Sequence, residues 1–180
     1  MKWQIDPAHT TVTVAAKHMM VTTVRGRFSG ATGEIEFDPE RPEAGGVVLR
    51  IPAASVNTGE DRRDAHLRSA DFLDAETHPD IVFASTKVTA RGKDRFVVEG
   101  DLTMRGVTWP VSVDVELAGV VEDPRAGRRA AFDARATVDR TKWGLTWNMP
   151  VPSGVLVGER LTLDANIAAI PLTQRVEVAA

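Results

Sequence analysis

Alternation with a period of two runs through most of this chain, and its cleanest instance lies between Thr108 and Gly119. Trp109, Val111, Val113, Val115 and Leu117 fall on one side, with Ser112, Asp114 and Glu116 opposite. Successive side chains of a strand point to opposite faces, so such a segment buries one face and wets the other. The same period recurs from Thr10 to His18, where Val12, Val14, Ala16 and His18 share a face, and from Phe96 to Met104, where Phe96, Val98, Leu102 and Met104 do. It recurs again from Leu161 to Ile170, with Leu161, Leu163, Ala165 and Ile167 in register. Further strands are expected over Val24 to Phe37, with a bulge or tight bend at Gly30 and Gly33, and over Val47 to Ile51, Asp80 to Arg91 and Arg129 to Val138. Turns are expected at Gly92 to Asp94, Arg105-Gly106 and Glu122 to Gly127.

Eight strands joined mostly by short turns predict an all-β, eight-stranded antiparallel up-and-down barrel, because closure removes the edges an open sheet would have to protect. Several strands run to about ten residues, against a usual mode of about 5 to 6, which favours a deep barrel over a two-sheet sandwich. A length of 180 residues fits one domain over 1–180, large enough to bury a core and of a size at which barrels often keep a cavity.

One stretch breaks the pattern. Ser55 to Pro79, SVNTGEDRRDAHLRSADFLDAETHP, crowds charges around a few apolar residues and carries helix-cap signals. It predicts a short helical insertion near residues 59–73, with Thr58 as N-cap, Asp61 in a loose capping box and Asp64 and Arg68 paired at i,i+4. Leu67, Ala70, Phe72 and Leu73 form its inward edge, and His78-Pro79 forces an extended restart.

That stretch, continued as SVNTGEDRRDAHLRSADFLDAETHPDIVFAS, resembles the YceI-like family, lipocalin-like barrels that bind polyisoprenoids and related lipids. GDLTMRGVTWPV, Gly100 to Val111, resembles the family's second signature, and WQIDPAHTTVTVAAKH, the first Gly-x-Phe hairpin and GRRAAF extend the likeness over nearly the whole chain. The resemblance implies a non-enzymatic binder, carrier or sequestering protein for a long-chain apolar lipid: a polyisoprenoid, an isoprenoid quinone or a fatty chain. His18 stands where the family usually has His. Val14 and Ala16 stand where an aromatic often follows, Trp109 where Lys is common, Trp143 where Phe is common and His78 where Tyr more often precedes the proline.

Composition narrows the field further. With 43% hydrophobic residues and a formal net charge of -3, no basic nucleic-acid surface is signalled. No apolar run approaches the roughly 18 residues of a membrane helix. The N-terminus MKWQIDPAHT lacks an apolar h-region, which reads as a cytoplasmic protein, or as a periplasmic or secreted one if a leader has been removed. Zero cysteines exclude disulfides and thiol chemistry.

Chemical motifs are sparse. His9, His18, His66 and His78 are scattered without metal-ligand spacing, so no metal or cofactor is expected. Ser153-Gly154 is not embedded in G-x-S-x-G, Asp71 and Asp74 read as turn and cap residues, and Gly154 to Gly158 lacks the lysine of a phosphate cradle. No catalytic residue is assigned.

Large apolar side chains remain, and they point to a cavity. The candidate lining comprises Val14, Ala16, His18 and Phe28 from the first strands, and Phe37, Phe83, Leu102, Met104 and Val113 from inward faces. Trp143, Leu145, Trp147 and Met149, in the irregular segment Asp139 to Gly158, either cap a barrel end or line a pocket mouth. Arg25 or His18 would stand near a polar head group. Burial of about ten methylenes yields roughly 8 kcal/mol gross at about 0.8 kcal/mol each, against an association cost of at least about 4 kcal/mol, so a long chain is favoured. A barrel-fold cyclase or hydrolase acting on an apolar substrate is the alternative; a filled barrel acting through its surface, for instance as a homodimer, is the third reading.

Overall fold

The computed structural model describes residues 1–124 and 127–172. Among these, twelve strands follow one another: β1 (Lys2–Ile5), β2 (Thr11–His18), β3 (Thr22–Phe28), β4 (Thr32–Glu36), β5 (Gly46–Pro52), β6 (Asp80–Ala90), β7 (Arg95–Met104), β8 (Val107–Asp123), β9 (Gly127–Asp139), β10 (Pro150–Val151), β11 (Gly154–Val155) and β12 (Val157–Pro171). One α-helix, α1 (Asp61–Arg68), interrupts them between β5 and β6.

Ten strands form one antiparallel sheet in the order β1, β4, β5, β6, β7, β8, β9, β12, β2, β3, and β1 also pairs with β12. That last pairing closes a ring of eight strands, the up-and-down barrel that the alternation predicts. β2 prolongs the line of β1 along the same edge of β12: Trp3 to Ile5 oppose Pro171 to Ala169, while Thr11 to Ala16 oppose Asn166 to Leu161. Between them a 3-10 turn, Pro7–His9, is N-capped by Asp6, and Pro7 has no N–H to give to a ladder. β1 itself escapes a periodicity argument, since four residues carry too little pattern.

The strand expected over Val24 to Phe37 is two strands, β3 and β4, parted at residues 29–31, where Gly30 takes φ +72°. Gly33 has a packing reason as well: a Cβ there would fall 2.0 Å from the carbonyl oxygen of Val48. β3 ends the sheet order, and the chain beyond β5 fills in beside it. Arg27 and Asn57 exchange backbone hydrogen bonds at 2.8 and 2.9 Å, and the Ser29 amide donates to Ser55 Oγ at 3.1 Å. The insertion is thus sewn into the one place where the hydrogen-bonded wall would otherwise stop.

Its internal wiring corrects three expectations. The short helix falls inside the expected stretch 59–73 and spans eight residues, but its N-cap is Glu60, whose carboxylate accepts from the Arg62 and Arg63 amides. Thr58 is a partner of the buried Asp64: its amide and hydroxyl both donate to Asp64 Oδ1, at 2.9 and 2.6 Å. Arg68 therefore finds no Asp64 carboxylate and donates to the carbonyls of Ala54 and Val56. Phe72 and Leu73 are buried as expected, but Ala70 is exposed.

Asp139 to Gly158 is more ordered than its composition suggests. Asp139 N-caps a 3-10 turn, Arg140–Trp143, left-handed Gly144 ends it, and β10 and β11 form a small hairpin. The turn expected over Glu122 to Gly127 falls partly outside the described residues. Among the described residues, no helix is long and apolar enough to cross a membrane.

The two barrel ends differ. At one end, Phe37 meets Phe96 edge-on at 5.8 Å and Phe132 at 5.5 Å, three buried rings that floor the interior. The other end gathers His18, Met104, Arg140 and Val157 under the helical insertion.

Candidate functional site: an apolar chamber under the insertion

Because inward positions alternate with outward ones, four successive inward residues of β2 (Val12, Val14, Ala16 and His18) face the interior, and the first three are small for a barrel wall. Gly26 sits opposite Val14 on β3. Small residues on this wall leave space, and a chamber of about 600 Å³ occupies it. That falls within the roughly 300–1,000 Å³ of small-molecule sites. A second chamber of about 160 Å³ lies deeper, against Phe37, Phe96 and Phe132. Val12, Ile51, Leu102 and Leu163 line both, so the two adjoin. Along β7, the eight steps from Met104 at the mouth to Phe96 at the floor cover on the order of 26 Å at about 3.3 Å per residue.

Gly100 keeps the deeper wall intact: a Cβ there would lie 2.6 Å from the Phe83 ring, which packs across the glycine. The mouth is framed by an aromatic cluster. His66 of α1 stands edge-on to Trp147 at 4.5 Å and to Phe72 at 5.0 Å, and Trp147 lies 5.4 Å from Phe72. The two His66 contacts set ring edge against ring face, a favourable aromatic arrangement, while Phe72 and Trp147 are tilted at 51°. His66 Nε2 also bonds Asp71 Oδ2 at 2.8 Å.

Of the candidates, Val14, Ala16, His18, Phe28, Leu102, Met104, Leu145 and Trp147 line the outer chamber. Phe37, Phe83 and Val113 line the inner one, with Leu102 common to both. Three candidates stand elsewhere. Arg25 is exposed, paired across the ladder with Ala15 in the set that alternates away from Val14 and Ala16. Met149 is 51% exposed beside β10. Trp143 is not at the mouth: it is 1% exposed, and its indole N–H donates to the Leu102 carbonyl at 2.8 Å. A buried indole needs an acceptor, and the bond makes Trp143 a structural pin beneath the site.

Arg62, Arg63, Leu156 and Val157 also line the chamber without having been singled out from sequence, as does Arg140. Arg140 is 2% exposed. Its Nε donates to Gly158 O at 2.9 Å, Nη2 to Val157 O at 3.1 Å and Nη1 to Leu145 O. Its carbon Cζ lies 5.9 Å from the Phe72 ring centre. Burial pulls its pKa down, partly opposed by the fields of Glu159 and Asp139, but a guanidinium stays charged throughout the ordinary pH range. The side chain thereby ties the irregular segment to the start of β12. No sequence signal marks it, because its partners are backbone carbonyls brought together only by folding.

A closed antiparallel barrel floored by aromatic rings, with an apolar chamber reaching solvent under a helical flap, defines a cavity-bearing β-barrel. The YceI-like domain matches residues 3–169, and the chain belongs to that family. A UPF0312 protein of Pseudomonas aeruginosa is 37% identical over 141 residues, 78% of this chain and 73% of that protein. Among solved structures, Burkholderia cenocepacia BcnA superposes with a TM-score of 0.79 at 23% identity, covering 92% of this chain and 99% of its own. A polyisoprenoid binding domain from Saccharophagus degradans, implicated in plant cell wall breakdown, gives 0.68 at 16% identity, covering 94% of this chain and 98% of its own. At those identities the two structures establish the shared fold.

Proposed function

We propose that this protein binds a long-chain apolar lipid in the barrel interior and carries or sequesters it without chemical conversion. The observation that supports this most directly is the pair of adjoining chambers, walled by aliphatic and aromatic side chains from Trp147 to the floor at Phe37. Each methylene withdrawn from water contributes roughly 0.8 kcal/mol, so a deep apolar channel favours a long single chain over a compact metabolite. The polyisoprenoid binding domain of the same fold supports an isoprenoid or related chain as the class. Organic extraction of the purified protein followed by mass spectrometry tests the reading. A prenyl, quinone or fatty chain at near-stoichiometric amount is the expected result. An empty extract, together with no saturable binding of any such chain, would overturn it.

A further inference from the structure

All the ionisable side chains that line the outer chamber are basic: Lys17, His18, Arg62, Arg63, His66 and Arg140. The chain as a whole has a formal net charge of -3, so the excess at the mouth is local. Two of these groups are occupied elsewhere. The Lys17 ammonium donates to Thr23 Oγ1, and His66 is held by Asp71. Asp64 is turned to Thr58 and does not line the chamber, and neither do Glu159 and Asp139, whose fields reach Arg140.

Among the described residues, no carboxylate touches Arg62, Arg63 or Arg140, although the fields of Glu159 and Asp139 reach Arg140. Arg63 donates Nε to Thr58 Oγ1 and Nη2 to the Thr58 carbonyl, and Arg140 donates only to the three carbonyls already named. A guanidinium has five N–H donors, so the three bonds of Arg140 leave one on each Nη. A buried cation without a carboxylate in contact is costly. Arginine forks also match carboxylate and phosphate oxygens in pairs. The arrangement is an apolar channel whose rim carries basic groups, three of them arginines with no carboxylate in contact.

We infer that the lipid taken up here is a single-chain amphiphile with an anionic head, a carboxylate or a phosphate, seated among Arg62, Arg63, His18 and Arg140 with its chain running toward Phe37. This rests on the lipid-binding reading above and adds the head-group chemistry to it.

Matched probes test it on the delipidated full chain: hexadecanoate against hexadecanol, and farnesyl phosphate against farnesol, with inorganic phosphate as competitor. The anionic member of at least one pair should bind tenfold or more tightly than its alcohol. That advantage should shrink on raising the salt from 0.05 to about 0.5 M, since exposed charges are screened, and should fall at least threefold in Arg62→Gln. Arg62 is exposed and, among the described residues, makes no side-chain hydrogen bond, so this variant should keep its fold by circular dichroism. Preference in one pair alone identifies which head group the rim selects. Alcohols binding as tightly as the anions would overturn the head-group inference while leaving lipid binding standing. Inorganic phosphate competing as well as farnesyl phosphate would overturn it in favour of a free-anion site. Absence of binding by all four chains would overturn both readings.

Discussion

Filling the chamber from its own wall separates a ligand cavity from a packing flaw. Ala16 lies on β2 between Val14 and His18, opposite Leu161 of β12 and Val24 of β3, and it lines the outer chamber. In a filled core, Ala16→Trp would force rotamers and backbone apart at a cost of about 1–3 kcal/mol. With about 600 Å³ of space before it, the indole has somewhere to go, and the denaturation midpoint should hold or rise slightly. The ligand bears the consequence. If the indole takes the room of about five methylenes, the lost burial is about 4 kcal/mol at about 0.8 kcal/mol each, near a thousandfold in affinity. Calorimetric titration of a long-chain lipid into delipidated wild type and variant, with urea denaturation alongside, reads both quantities. Binding within about twofold of wild type at unchanged stability would refute the placement of the chain in this chamber. A stability loss of about 3 kcal/mol would mean that the space is already filled by packed side chains.

Further outcomes follow from particular contacts. Glu60→Ala removes the acceptor of two helix N-terminal amides and should cost about 1 kcal/mol by denaturant titration; a loss near zero would show that water caps the helix equally well. Long-chain lipid should change tryptophan emission saturably in wild type and much less in Trp147→Phe, since Trp147 borders the chamber; a full response in that variant would place the entering chain elsewhere. Burial alone would raise the Asp6 carboxyl, but hydrogen bonds from Arg129, His9 and the Ala8 amide together hold it below its ordinary 3.8. Its folded pKa is depressed, so its contribution is fully present above about pH 4 and is lost as pH falls through the lowered value. Stability should therefore drop more steeply with acid in wild type than in Asp6→Asn, and equal slopes below pH 4 would remove Asp6 from the acid response.

Much of the barrel is legible along the chain because strand patterning is local. Whether Val111, Val113 and Val115 share a face follows from their spacing alone, and the length of β7 follows from an unbroken run of alternation. Val14, Ala16 and His18 fall on the chamber wall for the same reason, since a period of two fixes which side chains turn inward once one face is apolar. The insertion announces itself through the failure of that period. Spacing does not reach contacts between segments distant in sequence. Thr58 carries a good capping side chain, yet the buried Asp64 takes it and leaves the cap to Glu60. Trp143 and Trp147 are four residues apart in one irregular stretch, and only the position of the Leu102 carbonyl makes the first a buried pin while the second borders the mouth. Nothing in the sequence around Asp139 and Arg140 marks that arginine as buried. Folding brings the carbonyls of Leu145, Val157 and Gly158 around it, and a buried charge is tolerable only where such acceptors converge. The sequence by itself determined the strands, their inward faces and the break that becomes the flap. Tertiary structure alone decided which polar groups meet there, because a side chain's partner depends on chain segments whose separation no local period encodes.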